Sequence, residues 1–330
     1  MTAVGPGGAP RLLVVGGLGG LVGRAVLEEF RSDHRIRSLH RHAIPSEAGA
    51  GVEFVAGDAS SIERWAPLLE EVDTVLTVAW YRPGYDRRFQ PLSQGLLRLV
   101  DAARSSGIRR FVHLSVPDAP PELERDLPYL ALRRAVDRAL MGSGLPYVIV
   151  RPTMLFGPGD KLATVLLRTV HRYGRLPMFG DGAYHLSPVS TRDLARAIRL
   201  EAGRAPGRTV TIGGPRRWTY RELGDRMFAA FGRPPRYLRL SPRNGRRLAW
   251  LLERVGSTLL YAYEVDWLVS DLLGVAPYAG LDRPLEPIEP FLDREAARLR
   301  GGAPSARSPA GDVSREGASA GADATPPRQG

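Results

Sequence analysis

Apolar and polar positions alternate along the first half of the chain in a pattern that predicts strands separated by helices. Short runs rich in Val, Leu and Ile are bounded by Gly, Pro, Asp and Ser, and the segments between them carry apolar residues at helical spacing. We predict strands at 11–16, 35–41, 52–57, 73–79, 109–115 and 146–151, and helices from about 20 and at 62–71, 92–106 and 129–143. Strands that alternate with helices form parallel sheets covered on both faces, so the pattern predicts a doubly wound Rossmann parallel sheet of the α/β class.

A glycine-rich turn joins the first strand to the first helix. In RLLVVGGLGGLVGRAVLEEF an apolar run ends in Gly17, Gly20 and Gly23 and continues as an amphipathic helix. The first glycine permits a tight turn, the second lets a phosphate approach the backbone, and the third lets the helix pack on the strand. The amides and the dipole of a helix N-terminus favour a bound pyrophosphate, so the motif predicts a dinucleotide cradle that includes Leu21 and Val22.

The ends of the second and third strands bear on the choice of dinucleotide. A carboxylate after the second strand would bond the 2′-hydroxyl of NAD, whereas a cation accommodates the 2′-phosphate of NADP. We assign Arg41 as the phosphate reader, helped by His40 and Arg24, with a solvated strand-end arginine as the alternative. Asp58 follows the third strand, where it would meet the adenine edge or cap the next helix. The sequence therefore predicts NADP, with NAD as the alternative.

The second half of the chain is less regular. Thr219 followed by Glu222 predicts a capping box that starts a helix over 219–231. The segment 247–275 is strongly apolar but interrupted by charges, which fits a buried helical hairpin or, alternatively, a lid or a membrane-surface contact. We divide the chain into a flexible leader at 1–10, an NAD(P)-binding Rossmann domain at 11–155, a smaller substrate-side portion at 156–300 that partly rejoins the sheet, and a disordered tail at 301–330.

Composition excludes several classes of site. The 330 residues are 43% hydrophobic, enough for a substantial core, and they contain no cysteine, which excludes disulfides, thiol nucleophiles and thiolate metal sites. His40 and His42 would share a strand face without a third ligand, so we predict no metal site.

Charge and hydropathy bear on partners and location. The formal net charge of +11 comes almost wholly from arginine, but no recognition helix or aromatic stacking motif accompanies it, and we expect no nucleic-acid partner. We find no signal-peptide pattern and no apolar run long enough to cross a bilayer. The expectation is a cytoplasmic protein, with peripheral membrane contact left open.

The order and spacing of these segments resemble a known superfamily. The motifs that carry the resemblance are GGLGGLVG at 16–23, Arg41, GVEFVAGDAS at 51–60, VDTVLTVAW at 72–80, GLLRLVDAARSSGIRRFVHLS at 95–115 and LPYVIVRPTMLFGPGD at 145–160. Over roughly 11–235 the chain is similar to the atypical and extended short-chain dehydrogenases/reductases. The nearest branch is the NAD(P)-binding one that includes NAD-dependent epimerase/dehydratase proteins and the NADPH-binding accessory subunit of respiratory complex I.

The resemblance also implies roles at matching positions. Ser115 occupies the place of the hydroxyl that polarises the substrate, and Tyr129 that of the catalytic tyrosine. The family's lysine, four residues after the tyrosine, is replaced here by Arg133, which can stabilise a phenolate but cannot carry a proton at ordinary pH. As purely structural residues, the tyrosine would start a helix beside a proline and the serine would belong to a turn. Four further residues would pass close to the cofactor: Val78, Ala79, Pro152 and Thr153.

Three functions remain open at this stage. The first is an NADP-dependent oxidoreductase that acts on a carbonyl or alcohol of a small molecule, in which Tyr129 handles the proton, Ser115 holds the oxygen and Arg133 supplies positive charge. The alternatives are a sugar-nucleotide epimerase or dehydratase, and a protein that binds NADPH without turnover, in a structural or redox-sensing role. Neither the substrate nor the oligomeric state follows from the sequence.

Overall fold

The computed structural model describes residues 9–40, 51–79, 89–160, 162–254 and 262–301. The strands in these ranges are β1 Arg11–Val15, β2 Arg35–His40, β3 Val52–Ala56, β4 Thr74–Thr77, β5 Arg110–Leu114, β6 Tyr147–Pro152, β7 Leu155–Phe156, β8 Leu176–Phe179, β9 His185–Leu186, β10 Val189–Ser190, β11 Arg208–Ile212, β12 Trp218–Thr219 and β13 Tyr237–Leu240. The helices are α1 Leu21–Phe30, α2 Ala66–Leu69, α3 Phe89–Arg104, α4 Pro121–Asp126, α5 Pro128–Met141, α6 Leu162–Tyr173, α7 Thr191–Ala202, α8 Tyr220–Ala229, α9 Pro242–Arg254, α10 Ala262–Val269 and α11 Glu289–Arg300.

The central sheet has seven parallel strands within the described residues, in the order β11-β6-β5-β4-β1-β2-β3. The chain builds outward from β1 in one direction and from β4 in the other, so the strand order reverses between these two neighbours. Ligands of such sheets bind at this reversal, beyond the carboxyl ends of the strands. The predicted Rossmann α/β class is confirmed.

The central strands are apolar throughout because both faces of the sheet are covered. On β1, Leu13 and Val15 belong to a core that includes α3 and α5, whereas Leu12 and Val14 belong to a core that includes α1 and α7. All four side chains are fully buried. Burial on two faces explains why the strand reads as a continuous apolar run rather than as an alternating one.

One predicted element differs clearly from the structure. The helix expected at 62–71 is reduced to the single turn of α2, because Pro67 lacks the amide that a helix interior needs and is accommodated only in the first turn. Beyond Leu69 the backbone leaves the helical region at Glu70 and adopts a positive φ of 57° at Glu71. The other helices and strands predicted in the first half are present at closely similar boundaries.

The rest of the chain returns to the sheet through α7, which covers one of its faces with α1, and through β11. Strand β11 joins the sheet next to β6, and three two-stranded ladders pair β7 with β10, β9 with β12 and β8 with β13. Thr219 and Glu222 form the predicted capping box at the start of α8. Helices α9 and α10 pack together, but the hairpin is not buried on both sides, since Trp250 and Leu251 are exposed. No helix in the described part of the chain is long and apolar enough to cross a membrane.

Candidate functional site

The glycine turn lies at the point where the strand order reverses. Gly16 and Gly17 have φ of +127° and +79°, conformations that favour glycine. A Cβ on Gly16 would lie 2.3 Å from the amide nitrogen of Ala79, and a Cβ on Gly23 would lie 2.2 Å from the carbonyl oxygen of Gly17. The turn is therefore pressed against the end of β4 on one side and against the first turn of α1 on the other.

Gly20 differs from Gly16 and Gly23 because the space at its Cβ position is open. A Cβ at Gly20 would have no neighbour closer than the Gly17 carbonyl oxygen at 3.8 Å. The residue is the N-cap of α1, and no side chain caps the helix. The amides that follow, those of Leu21 and Val22, are among those that the first turn of a helix leaves without an intrahelical partner. The open side of the turn is thus a cradle suited to an anion.

His40, the last residue of β2, is hydrogen-bonded to the glycine turn. Its Nε2 accepts a hydrogen bond from the Leu18 amide at 3.3 Å and lies 2.8 Å from the hydroxyl of Ser38. Burial lowers the pKa of His40, and an Nε2 that accepts an amide must carry a lone pair, so the ring is neutral with its proton on Nδ1. The neighbouring Arg41 lies outside the described residues, and its contact with a 2′-phosphate stays a prediction.

Asp58 caps a turn rather than a helix. Its Oδ1 accepts hydrogen bonds from the amide of Ser60 at 2.9 Å and from the hydroxyl of the same residue at 2.8 Å. Its carbonyl oxygen accepts the amides of Ser61 and Ile62. The expectation that it caps the following helix is wrong, because α2 begins only at Ala66. A contact with adenine from this turn stays a prediction.

Arg133 of α5 meets the end of β4, and Tyr129 lies one helical turn before it. Arg133 is 4% exposed, and its Nη2 donates to the carbonyl oxygen of Ala79 at 3.1 Å. Burial raises the pKa of Tyr129, and the positive charge of Arg133 opposes that rise. The tyrosine ring contacts Trp267 of α10 edge-on, with ring centroids 6.0 Å apart. Ala79 and Val78 follow β4, and the Val78 amide donates to the carbonyl oxygen of Val15, so the structure brings Arg133 beside the glycine turn, whereas the proximity of Tyr129 to a cofactor stays a prediction.

Ser115 lies just beyond β5 and has a buried hydroxyl. Its amide donates to the carbonyl oxygen of Val150 at 2.8 Å. The side chain is 1% exposed, and its Oγ has no hydrogen-bond partner within the described part of the chain. It is therefore not bonded to Tyr129. A buried hydroxyl left unsatisfied costs roughly 1–3 kcal/mol, which makes Ser115 a natural donor for a ligand oxygen.

The hydroxyl and the amide of Thr153 are both hydrogen-bonded within the protein. Its hydroxyl donates to the carbonyl oxygen of Ser187 at 2.5 Å, and its amide donates to that of Ile212 at 3.2 Å. Pro152, the last residue of β6, pairs with Ile212 of β11. Both residues thus hold the junction where β11 rejoins the sheet, and their proximity to a cofactor stays a prediction.

A buried ionic cluster beneath α5 was not singled out by the sequence analysis. Asp137 is 1% exposed, and its Oδ2 accepts from Nη1 of Arg134 at 2.8 Å and from Nη2 of Arg151 at 3.1 Å. The exposed Asp118 pairs with both arginines from the other side. The sequence did contain a signal, namely an arginine inside the apolar strand YVIVRP and an Arg/Asp pair at helical i,i+3 spacing.

His113 extends this cluster toward β4. Its Nδ1 lies 2.6 Å from the hydroxyl of Thr77, and its Nε2 faces Oδ1 of Asp137 at 3.7 Å. Complete burial lowers the pKa of His113 from 6.5 to about 4; Asp137 opposes this shift, and Arg133 and Arg151 reinforce it. The imidazole is therefore neutral at physiological pH.

Replacing His113 with Gln should remove part of the acid sensitivity of the fold. Between the folded pKa of about 4 and the unfolded value of 6.5, only the unfolded chain binds this proton, so stability is complete above 6.5 and falls as the pH drops. We expect this group to remove about 2 kcal/mol of unfolding free energy between about pH 8 and about pH 5. Urea unfolding at both values measures the difference, with His34→Gln as a surface control. A His113→Gln protein that keeps the wild-type slope would contradict the assignment.

Comparisons with known proteins show what this chain is similar to. A family model described as NAD(P)H-binding matches residues 17–173. The 2-alkyl-3-oxoalkanoate reductase of Stenotrophomonas maltophilia is 25% identical over 276 residues, which are 74% of this chain and 83% of the reductase. NADH dehydrogenase (ubiquinone) 1 alpha subcomplex subunit 9 of Arabidopsis thaliana is 29% identical over 142 residues, 42% of this chain and 35% of that subunit.

A sugar epimerase and a solved structure complete the comparison. An uncharacterised sugar epimerase of Bacillus subtilis is 30% identical over 146 residues, 41% of this chain and 68% of the epimerase. The structure of a nucleoside-diphosphate-sugar epimerase from Staphylococcus aureus matches with a TM-score of 0.69 at 19% identity, over 86% of this chain and 99% of that one. The resemblance noted from the motifs is thereby confirmed. The chain belongs to the NAD(P)H-binding family of atypical short-chain dehydrogenases/reductases, among whose relatives are proteins named as reductases and as sugar epimerases.

Proposed function

We propose that this protein is an NADP-dependent reductase of a small-molecule carbonyl. Three observations support the proposal: the open glycine cradle at the strand-order reversal, the hydrogen bond from Arg133 to the carbonyl oxygen of Ala79 beside it, and the unsatisfied hydroxyl of Ser115 beyond β5. Hydride transfer requires a dinucleotide cradle together with polar groups that orient the substrate. Similarity to a reductase along 83% of that protein's length supports the same direction.

The cradle fits a nicotinamide dinucleotide. Gly20 is open on the side where the first amides of α1 point, and the packed Gly16 and Gly23 keep the turn close to β4. When bound there, the nicotinamide supplies a hydride to the carbonyl carbon of the substrate. NADP is the form we propose, because Arg41 follows β2 and no carboxylate occurs before Glu47, whereas the neutral His40 is engaged by the glycine turn and does not help to bind a phosphate.

Ser115 and Tyr129 are assigned to the carbonyl oxygen. The serine hydroxyl donates a hydrogen bond to that oxygen, which polarises the carbonyl and satisfies a buried donor. The tyrosine hydroxyl donates the proton that converts the reduced oxygen into an alcohol. Because burial raises the pKa of Tyr129, the phenol stays protonated at physiological pH and suits reduction better than oxidation.

Arg133 positions the tyrosine and offsets its charge. Its bond to the Ala79 carbonyl fixes the guanidinium beside the phenol, where it stabilises the negative charge that develops as the proton leaves. An arginine does not relay protons, so Tyr129 must recover its proton from water. This is the step in which the protein departs from relatives that carry lysine.

Titration with NADPH and with NADH, followed by nicotinamide fluorescence, tests the cofactor assignment. We expect tighter binding of NADPH, and we expect Arg41→Ala to weaken NADPH by about 10–100-fold with little effect on NADH, since one charge-assisted contact is lost. Gly20→Val should weaken both dinucleotides, because the side chain fills the cradle without disturbing the packed glycines. Arg31→Ala, at the other end of α1, is the charge-matched control.

The outcomes of this titration separate the alternatives. Tight binding of NADH with no preference for NADPH would contradict the NADP assignment, but it would still support the glycine turn as a dinucleotide-binding site. Failure of the wild type to bind either dinucleotide would overturn the proposed function altogether. Binding without consumption of NADPH over a panel of carbonyl compounds would favour the structural or redox-sensing role.

A further inference from the structure

The outer face of α9 exposes large apolar side chains. Leu248, Trp250 and Leu251 are 39%, 49% and 56% exposed, and Leu238 of the neighbouring β13 is 47% exposed. Isolated apolar residues on a surface are ordinary, but here four of them belong to two elements that pack on each other. We call these four residues, with the exposed arginines described below, the α9 patch.

The helix is built to present this face outward. Its inward face includes two small residues: Ala249 is fully buried, and a Cβ on Gly245 would lie 2.6 Å from the Phe179 ring. The helix therefore lies close on β8 and α10 through small side chains and points its large apolar ones away from the core. A helix that only covered a core would show the opposite arrangement.

Arginines surround the apolar centre. Residues 233–254 contain seven arginines and a single carboxylate, that of Glu253. Arg246 is paired with Asp266 of α10 at 2.6 Å, and the guanidinium of Arg254 covers the Trp250 ring at 4.0 Å. Four more arginines in β13, in α9 or just before β13 are exposed: Arg236, Arg239, Arg243 and Arg247.

We propose that the α9 patch docks the protein on an anionic membrane surface. Tryptophan and leucine enter the boundary between headgroups and acyl chains, while arginines bind the lipid phosphates around them. A symmetric contact with a second copy would bring the same arginines of two chains together, which is unfavourable. Nucleic acid would use the arginines but would leave the three leucines without a function. The proposal is independent of the function proposed above.

Co-sedimentation of the full chain with lipid vesicles tests this surface. We expect binding to vesicles of equal parts phosphatidylcholine and phosphatidylglycerol, weakened by salt, and no binding to phosphatidylcholine alone. Trp250→Ala combined with Leu251→Ala should weaken binding at least about tenfold, since both side chains lose their apolar burial. Arg243→Gln combined with Arg247→Gln should also weaken it by reducing the attraction to phosphatidylglycerol.

The matched control is Met141→Ala combined with Tyr173→Ala. These residues are 42% and 67% exposed and lie on α5 and α6, outside the patch, so their replacement should leave vesicle binding unchanged. All the substituted side chains are exposed, and thermal melting verifies that each variant is folded. The proposal is overturned if the wild type does not co-sediment with anionic vesicles or if the patch variants bind them as tightly as the wild type does. It is equally overturned if light scattering shows that the patch variants only dissociate a dimer, or if duplex DNA binds where vesicles do not.

Discussion

Replacing Asp137 with Ala should lower the free energy of unfolding by about 3–5 kcal/mol, the cost of leaving a buried ion without its partner. The carboxylate accepts hydrogen bonds from two guanidinium groups, those of Arg134 and Arg151, each less than a tenth exposed. Without it, the exposed Asp118 is the one carboxylate in the described parts of the chain that still pairs with these two arginines. The loss is measured by urea unfolding at neutral pH.

Glu124→Ala is the matched control for this experiment. Glu124 pairs with Arg138, another arginine of α5, but the arginine is 64% exposed, and such a surface pair contributes about 0–1 kcal/mol. The contrast isolates the effect of burial from that of charge. A loss for Asp137→Ala no larger than that of the control would show that water enters the cluster and screens the arginines.

The same cluster explains why α5 is held in a defined position. Asp137 is bonded to Arg151 of β6, whereas Arg133, one helical turn before Asp137, donates to the carbonyl oxygen of Ala79 after β4 and Tyr129 lies one further turn back. Loss of the cluster should therefore disturb the position of the tyrosine as well as the stability. This distinguishes Asp137, a positioning residue, from the residues assigned to the substrate.

Much of the fold was predictable because its signals are local. The continuous apolar runs of β1 and β6 follow from burial on both faces, and the glycine turn follows from the φ values that its residues must adopt. Pro67 is a sequence signal for the shortening of α2, but the prediction of a helix over 62–71 followed the apolar periodicity and did not take the proline into account. The candidate site depended on the resemblance, since no local pattern distinguishes Ser115 from an ordinary turn serine.

The remaining features depend on partners far away in sequence. Asp137 meets Arg151 across 14 residues, and His113 meets Thr77 across 36. The hydroxyl of Thr153 donates to the carbonyl oxygen of Ser187, 34 residues later in the chain, and the sequence around the end of β6 does not predict this contact. A pattern of apolar and polar positions shows that a charged residue within an apolar segment is unusual, but it does not identify the oppositely charged residue that pairs with it.

Replacing Tyr129 with Phe should lower the rate of NADPH-dependent carbonyl reduction by about 10²–10⁴-fold, the usual contribution of a positioned proton donor. The ring and its contact with Trp267 are kept, so the variant should fold and should bind NADPH as the wild type does. Because burial raises the pKa of the phenol, the wild-type rate should not fall as the pH rises through about 9. Steady-state NADPH consumption across that range measures both effects.

Arg133 supplies the second arm of this experiment. Arg133→Met removes the cation that opposes the effect of burial on Tyr129 and the bond to the Ala79 carbonyl, so we expect a lower kcat in a protein that still binds NADPH. Arg133→Lys should retain more activity than Arg133→Met, because an ammonium keeps the charge at the same turn of α5. Tyr173→Phe, an exposed tyrosine on α6, is the control. A Tyr129→Phe protein with the wild-type rate would remove the tyrosine from the chemistry, and the proton would then have to come from another donor such as water.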